Sequence, residues 1–478
     1  MCGFIGLIGV ERAGAALGIG LQALQHRGQD ACGVGTLVGG RFLLHRDLGS
    51  VAQVFTADVL AGLQGSAGVG HVRYPTVGAG VRDDTQPFLT RRPGVLMAHN
   101  GNVTNVPELE RWLADRGIRV QSRCDVEPIL LVFAEVLAER RANHPTAADV
   151  VEAVREVHAR VRGAYSCVAL LEVDGIETLV TFRDPHAIRP GSYAHGPNGT
   201  WCAASETVAY DALGFTREAD VPAGHVVLLQ VGAPAHIVSV TPRAPRPCIF
   251  ERIYFARPDS RMEDGSVYGT RWALGERLGH ELRAAGVTAD VVVPVPDTSR
   301  PAAQALAEVL GLPYREGFIK NRYSGRTFIM PDAATRTAAL RLKLNPIPEI
   351  FEGKRVLLVD DSVVRGTTVR RISDMVRQVR PAHVALAVFS PPVRNPCFYG
   401  IDMPTRDELV AARIPAPDWP AAFGVDAVHF LSVGGLREVS AARGVPLPCM
   451  ACFDGDYVVP VDQRETRAIV EDRRGSGT

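Results

Sequence analysis

The sequence predicts a two-domain α/β protein whose second half carries a parallel sheet, and three observations lead there. A length of 478 residues exceeds what one core usually supports. The stretch SVTPRAPRP at 239–247 spaces three prolines among polar and basic residues, and proline, which cannot donate to a sheet ladder, marks a junction. Beyond it, short apolar runs alternate with helix-period segments, the pattern of strands joined by crossover helices.

Bulk properties narrow the function classes. Hydrophobic content of 46% and charged content of 22% are ordinary globular values. Lysine plus arginine equals aspartate plus glutamate, 52 each, so no general attraction to nucleic acid or an anionic membrane is expected. No apolar run approaches the roughly 18 residues of a membrane span. The start, MCGFIGLIGV, lacks a basic leader and meets Glu11 and Arg12 at once, so it reads as a strand rather than a signal peptide. Nine cysteines without such a signal point to a reducing, cytoplasmic compartment, where thiols serve as ligands, nucleophiles or core residues.

In chain order, Cys2 comes first. Exposed as a new N-terminus it carries its own base, because a free α-amine titrates at about 7.7–8.0, close to a thiol at about 8.5. The plainer reading is a small residue opening a strand. Three motifs follow: LQALQHRGQD at 21–30, GHVRYPTVG at 70–78 and AHNGNVTN at 98–105. A helix is expected over 126–138, with Asp125 a possible cap. After the proline-rich junction, 290–295 reads as a buried strand leading into VPDTSRPAA, and 302–310 as a helix ended by Gly311 and Pro313. The stretch from Lys320 to Asn345 is long, basic and without clean periodicity, as expected of a functional or solvated loop.

The most informative segment is RVLLVDDSVVRGTT, 355–368. Val356 to Val359 form a buried strand that runs into Asp360 and Asp361; a turn, 362–368, precedes a helix with apolar positions at Val369, Ile372, Met375, Val376 and Val379. Loop amides and the Thr367 and Thr368 hydroxyls suit a phosphate at a helix N-terminus, and the acidic pair suits ribose hydroxyls or a hard cation such as Mg²⁺. No GxxxxGK[ST] loop occurs. A further strand is expected at 383–389. Near the C-terminus, Cys449 and Cys452 form a C-x-x-C whose spacing alone suits structural zinc most readily, and a redox pair less well.

Taken together, these motifs resemble known families. The segment around Asp360 is similar to the signature of phosphoribosyltransferases, and the first half resembles the glutaminase domain of class II, N-terminal-nucleophile glutamine amidotransferases. From Cys2 to about Tyr457 the chain resembles the amidotransferases that act on phosphoribosyl pyrophosphate. The resemblance implies an αββα sandwich over 2–238, a linker at 239–247, a phosphoribosyltransferase-type parallel α/β domain over 248–460 and a tail at 461–478. It further implies that Cys2 attacks the glutamine amide while Asn100 and Gly101 stabilise the oxyanion. Arg73 would bind the substrate α-carboxylate and Asp125 its α-ammonium. His26, Arg27, His71 and His99 are expected to brace the structure.

In the second half the resemblance places Thr298, Asp360 and Asp361 around Mg²⁺, and Ser362, Arg365, Gly366, Thr367 and Thr368 around the 5′-phosphate. The loop within 320–345 would close over the substrate. One branch of the family carries a four-iron, four-sulfur (4Fe-4S) cluster, and this chain has cysteine at each matching position: Cys248, Cys397, Cys449 and Cys452. The implied reaction takes nitrogen from glutamine and gives 5-phosphoribosylamine, glutamate and pyrophosphate, in a homotetramer inhibited by purine nucleotides. Departures occur at Cys32, at Cys124 and at 183–192, where Ala187 and Gly191 replace the usual glycine and leucine. They leave room for a paralogue using the same chemistry in a secondary pathway; a separate alternative, a non-catalytic phosphoribosyl-ligand sensor, would have no use for Cys2, Arg73, Asn100 and the acidic pair together.

Overall fold

The computed structural model describes residues 2–74, 82–141, 144–320, 344–403 and 405–461. The first half opens with β1 (Gly3–Ile8), β2 (Ala31–Val38), β3 (Arg41–Leu48), β4 (Ala67–Arg73), β5 (Phe88–Arg91) and β6 (Gly94–Val103). It continues through β7 (Gly163–Val173), β8 (Ile176–Arg183), β9 (Ser192–His195), β10 (Trp201–Ala204), β11 (Thr216–Asp220), β12 (His225–Leu229) and β13 (His236–Ser239). These strands make two sheets, ordered β11-β9-β10-β1-β4-β2-β3 and β13-β12-β8-β7-β6-β5.

Alternation along the strands builds the layers, since successive side chains face opposite ways. Phe4 and Ile8 of β1, with Leu96 and Ala98 of β6, pack between the sheets. Ile5 and Leu7 turn outward against Leu17 and Leu21 of helix Ala13–Ala23. Val95 and Met97 turn outward on the other side, onto helices Val126–Arg141 and Ala147–Arg160. The result is the expected αββα sandwich.

The second half contains a small hairpin, β14 (Arg261–Met262) with β15 (Gly265–Ser266), and then β16 (Val291–Pro294). β17 (Phe318–Lys320) and β18 (Leu344–Pro346) pair antiparallel, and the loop expected to close over substrate falls within 321–343, outside the described residues. β19 (Arg355–Asp360), β20 (His383–Val388) and β21 (Ala427–Phe430) complete a four-stranded sheet, ordered β16-β19-β20-β21 and parallel throughout. It is covered on both faces, which explains the unbroken apolar run at 356–359. Leu357 and Val359 pack toward helices Val267–Ala284 and Arg300–Leu310; Val356 and Leu358 pack toward helix Thr367–Gln378.

Two differences from the sequence reading have clear causes. The helix after the acidic pair takes in Thr367 and Thr368, because Gly366, at φ 78, ends the turn earlier in a left-handed conformation. The proline-rich junction also lies on the first half. Arg243, Arg246 and Cys248 donate backbone N–H groups to the carbonyls of Pro185, His186 and Ile188, three of the four donors that Pro245 and Pro247 leave in this stretch.

Candidate functional site

Two clusters of chemistry-bearing residues emerge, one in each half. In the first, β1 pairs with β4 so that Gly3 faces Val72, which sets Cys2 beside Arg73 at one end of the sheet. The Cys2 thiol is half-buried and 3.8 Å from the Tyr74 carbonyl oxygen. Buried Arg73 lies 3.6 Å from Asp84, which accepts the Arg123 backbone N–H. From the facing sheet, β6 contributes Asn100 and Gly101. Asn100 is 1% exposed, and its Nδ2 is a buried donor with no partner among the described residues. An orphaned buried donor costs about 1–3 kcal/mol unless something arrives to accept from it. A Cβ on Gly101 would come 2.2 Å from the Ala164 carbonyl oxygen, so only glycine lets β6 and β7 close at that point. Asp125 accepts the Val103 N–H at 2.9 Å and stands 3.4 Å from His99.

The expected bracing residues do brace. His71 Nε2 meets the His99 carbonyl at 3.2 Å, and Gln86 holds the His99 ring and backbone. His26 pairs with Glu206 at 3.0 Å. Fully buried Arg27 reaches Glu206, Glu251 and the Cys2 carbonyl oxygen. Burial alone would raise the Glu206 pKa, but His26 and Arg27 outweigh it and hold the carboxyl at about 2. Sequence reasoning missed Glu206, Glu251, Gln86 and Arg189; none sits in a motif whose spacing announces its partner.

The second cluster lies at the C-terminal ends of β16 and β19, where open α/β sheets bind ligands. Asp360 and Asp361 are each 7% exposed. Burial raises both carboxyls above the ordinary range; Asp361 raises Asp360 further, while Ser362 and the Arg271 charge partly restrain Asp361. Two buried carboxylates side by side favour a cation, and hard oxygen donors suit Mg²⁺. Ser299, not Thr298, is fully buried and has its hydroxyl 3.5 Å from Asp360. The helical start at Arg300 turns that residue inward and leaves Thr298 half-buried in the preceding turn. Gly366, Thr367 and the basic side chains of Arg365, Arg370, Arg371 and Arg413 line a cavity of about 320 Å³. The Arg365 guanidinium is ion-paired with Glu408 at 2.6 Å, so it is already engaged rather than held open for a phosphate.

The four expected cluster ligands gather where the halves meet. Cys248 and Cys449 face each other in an isolated parallel bridge. The Cys452 carbonyl accepts N–H groups from Arg394 and Asn395, just before Cys397. Burial raises all four thiols, Cys248 to about 12, and their mutual proximity adds to the shift for Cys248, Cys449 and Cys452. Among the described residues no three His, Cys, Asp or Glu side chains converge to share one metal ion. A cubic iron-sulfur cluster makes a different demand: each thiolate holds its own iron, so its ligands neighbour one another without converging.

Comparison with known proteins settles the family. A profile for the phosphoribosyl transferase domain matches residues 273–396, and one for a glutamine amidotransferase domain matches 71–212. The amidophosphoribosyltransferase of Pseudomonas aeruginosa is 42% identical, over 96% of this chain and 93% of its own length. The chain belongs to the amidophosphoribosyltransferase family. That of Methanothermobacter thermautotrophicus is 39% identical over 96% of this chain and 95% of its own. The structure is also similar to glutamine phosphoribosylpyrophosphate amidotransferase from B. subtilis complexed with ADP and GMP, with a TM-score of 0.86 and 35% identity over 97% of this chain and 98% of that one. Its reaction moves the amide nitrogen of glutamine to phosphoribosyl pyrophosphate, giving 5-phosphoribosylamine, glutamate and pyrophosphate, the first step of de novo purine synthesis.

The departures from the family pattern are local accommodations. Cys32 and Cys124 are buried, and their thiols are pushed up to about 12 chiefly by that burial. A Cβ on Gly191 would meet the Ser166 hydroxyl at 2.2 Å, so Ser166 occupies the space a larger side chain would need. Ala187 stands at φ 51, a left-handed conformation that favours the glycine the resemblance leads one to expect there. Ala187→Gly is therefore expected to stabilise the protein by about 0.5–1 kcal/mol net, the relieved left-handed strain of about 1–2 kcal/mol outweighing the entropy that glycine adds to the unfolded chain. Urea denaturation measures it, and a loss of stability would show that the alanine is unstrained.

Proposed function

We propose that the first cluster is the glutaminase site and the second the phosphoribosyl site of this reaction. With Met1 removed, the α-amine of Cys2 takes the thiol proton, and the sulfur bonds to the amide carbon of glutamine. Asn100 Nδ2 and the Gly101 N–H receive the developing oxyanion. The orphaned Asn100 donor is the observation that carries this reading, since an oxyanion is the acceptor it lacks. Arg73 pairs with the α-carboxylate and Asp125 with the α-ammonium. The Cys2 α-ammonium formed in the first step gives its proton to the leaving nitrogen as the tetrahedral adduct collapses, so ammonia departs, and water then cleaves the thioester to glutamate and the free thiol. Ammonia attacks C1 of the ribose and pyrophosphate leaves. Keeping the ammonia away from bulk water preserves it as the neutral nucleophile.

Asp360 and Asp361 would hold Mg²⁺ and the ribose, with Thr298 or the better-placed Ser299 beside them. Ser362, Gly366, Thr367 and Thr368 would hold the 5′-phosphate, which Arg365 would join only by leaving Glu408. Bound Mg²⁺ would neutralise charge on the pyrophosphate as it departs. Cys248, Cys397, Cys449 and Cys452 would hold a 4Fe-4S cluster that staples three distant chain segments together. Feedback by purine nucleotides is supported by the ADP and GMP in the B. subtilis relative. A cytoplasmic homotetramer completes the reading; no helix among the described residues is long and apolar enough to cross a membrane.

The deciding assay supplies glutamine and phosphoribosyl pyrophosphate and follows pyrophosphate release; no release with both substrates present would refute the reading. For the cluster, iron and acid-labile sulfide are expected at about four each per chain, with a brown chromophore. Stoichiometric zinc without iron would restore the structural-zinc alternative.

A further inference from the structure

The phosphoribosyl half supplies one carboxylate to the interior of the glutaminase half. Glu251, three residues after Cys248, is 2% exposed. Its Oε1 accepts from Arg189 Nη2 at 2.5 Å and from Arg27 Nη2 at 2.8 Å. Each arginine then touches a different part of the proposed site. Arg189 Nη2 also donates to Asn100 Oδ1 at 3.3 Å. Arg27 Nε donates to the Cys2 carbonyl oxygen at 3.0 Å.

Chemistry gives this chain a purpose. An asparagine amide has one accepting and two donating faces, and either orientation fills the same space. An oxyanion needs the Nδ2 face. A cation against Oδ1 permits only that orientation, and Nδ2, without a partner among the described residues, is the donor it leaves for a substrate oxyanion. Arg189 is buried with its charge, which is tolerable only beside a carboxylate, and Glu251 lies against it. A second tie between the halves reaches the same strand: Asn102 Nδ2 donates to the Phe398 carbonyl at 2.9 Å, next to Cys397.

We propose that Glu251 is a positioning residue for glutamine hydrolysis, holding Arg189 so that the Asn100 amide presents its donor to the oxyanion, and Arg27 so that Cys2 stays in register. The inference rests on Cys2 and Asn100 acting in glutamine hydrolysis. It makes the glutaminase site incomplete without the segment that begins at Cys248.

The test is a double-mutant cycle in the full-length holoenzyme. Glu251→Gln is expected to lower kcat for glutamine hydrolysis about tenfold to hundredfold, with KM for glutamine within about twofold, because the lost contact acts in the transition state. Synthesis from ammonium salts should persist and reports that the fold is intact. In an Asn100→Ala background the same change should have less than about a threefold effect, since its main target is gone. An unchanged kcat, a rise in KM alone, or an equal fall in both backgrounds overturns the inference. If Glu251→Gln also loses ammonia-dependent synthesis, Arg189→Lys decides by the same criteria, since it keeps the buried charges balanced but has a shorter reach and no rigid plane to set its nitrogen between Glu251 and Asn100. Failure of Cys2→Ala to stop glutamine hydrolysis would instead remove the site assignment on which the inference rests.

Discussion

Cys2→Ala is expected to abolish glutamine-dependent synthesis, by about 10⁴-fold or more, while synthesis from added ammonium salts stays within about twofold of the parent. The size follows from covalent catalysis: without sulfur at position 2 there is no thioester, and the neighbouring Cys124 thiol, pushed up to about 12 by burial, stays protonated. The selectivity follows from the architecture. β1 is hydrogen-bonded on both sides, to β10 and β4, so removing one sulfur at its leading end leaves the sheet intact. The acidic pair belongs to a separate parallel sheet with its own core on each face. Pyrophosphate release measured with each nitrogen source checks the result. Equal loss with both would mean that the two sites are not chemically separable.

How far the sequence disclosed this arrangement depended on the range of the interaction. The parallel sheet was legible through local signals: Val356 to Val359 are apolar on both faces because helices cover both, and the acidic pair stands where that strand must end. The αββα sandwich came only with the motif resemblance. Cys2, Asn100 and Gly101 were singled out through motif resemblance alone. What stayed hidden were the partners that only tertiary structure supplies. Glu251 meets Arg27 across 224 positions and Arg189 across 62, and no period or spacing encodes such a pair. Thr298 and Ser299 are adjacent hydroxyls, and only the onset of the helix at Arg300 decides which faces Asp360. Arg365 looks like a phosphate ligand until Glu408, far along the chain, is seen to hold it.

Asp361→Asn is expected to produce the complementary failure. Synthesis should fall about a hundredfold or more with either nitrogen source, because the amide keeps the size of the carboxylate but not the charge needed to hold a cation. Glutamine hydrolysis at Cys2 without phosphoribosyl pyrophosphate should be unaffected. The same substitution should stabilise the fold by about 1–2 kcal/mol at pH 8, for a reason visible in the titration of the pair. Burial raises the Asp361 carboxyl above its unfolded value, so ionisation opposes folding. For a raised acid, folding is favoured while the proton is retained, and the penalty grows as pH climbs from the unfolded value through the folded one. The stability gain should therefore be small near pH 4 and fully developed above neutrality. Denaturation curves of parent and variant at both pH values, without added divalent cation, read it directly. A variant less stable than the parent at pH 8 would show that the second carboxylate is already compensated, and the pair would lose its claim to be a site strained in wait for its cation.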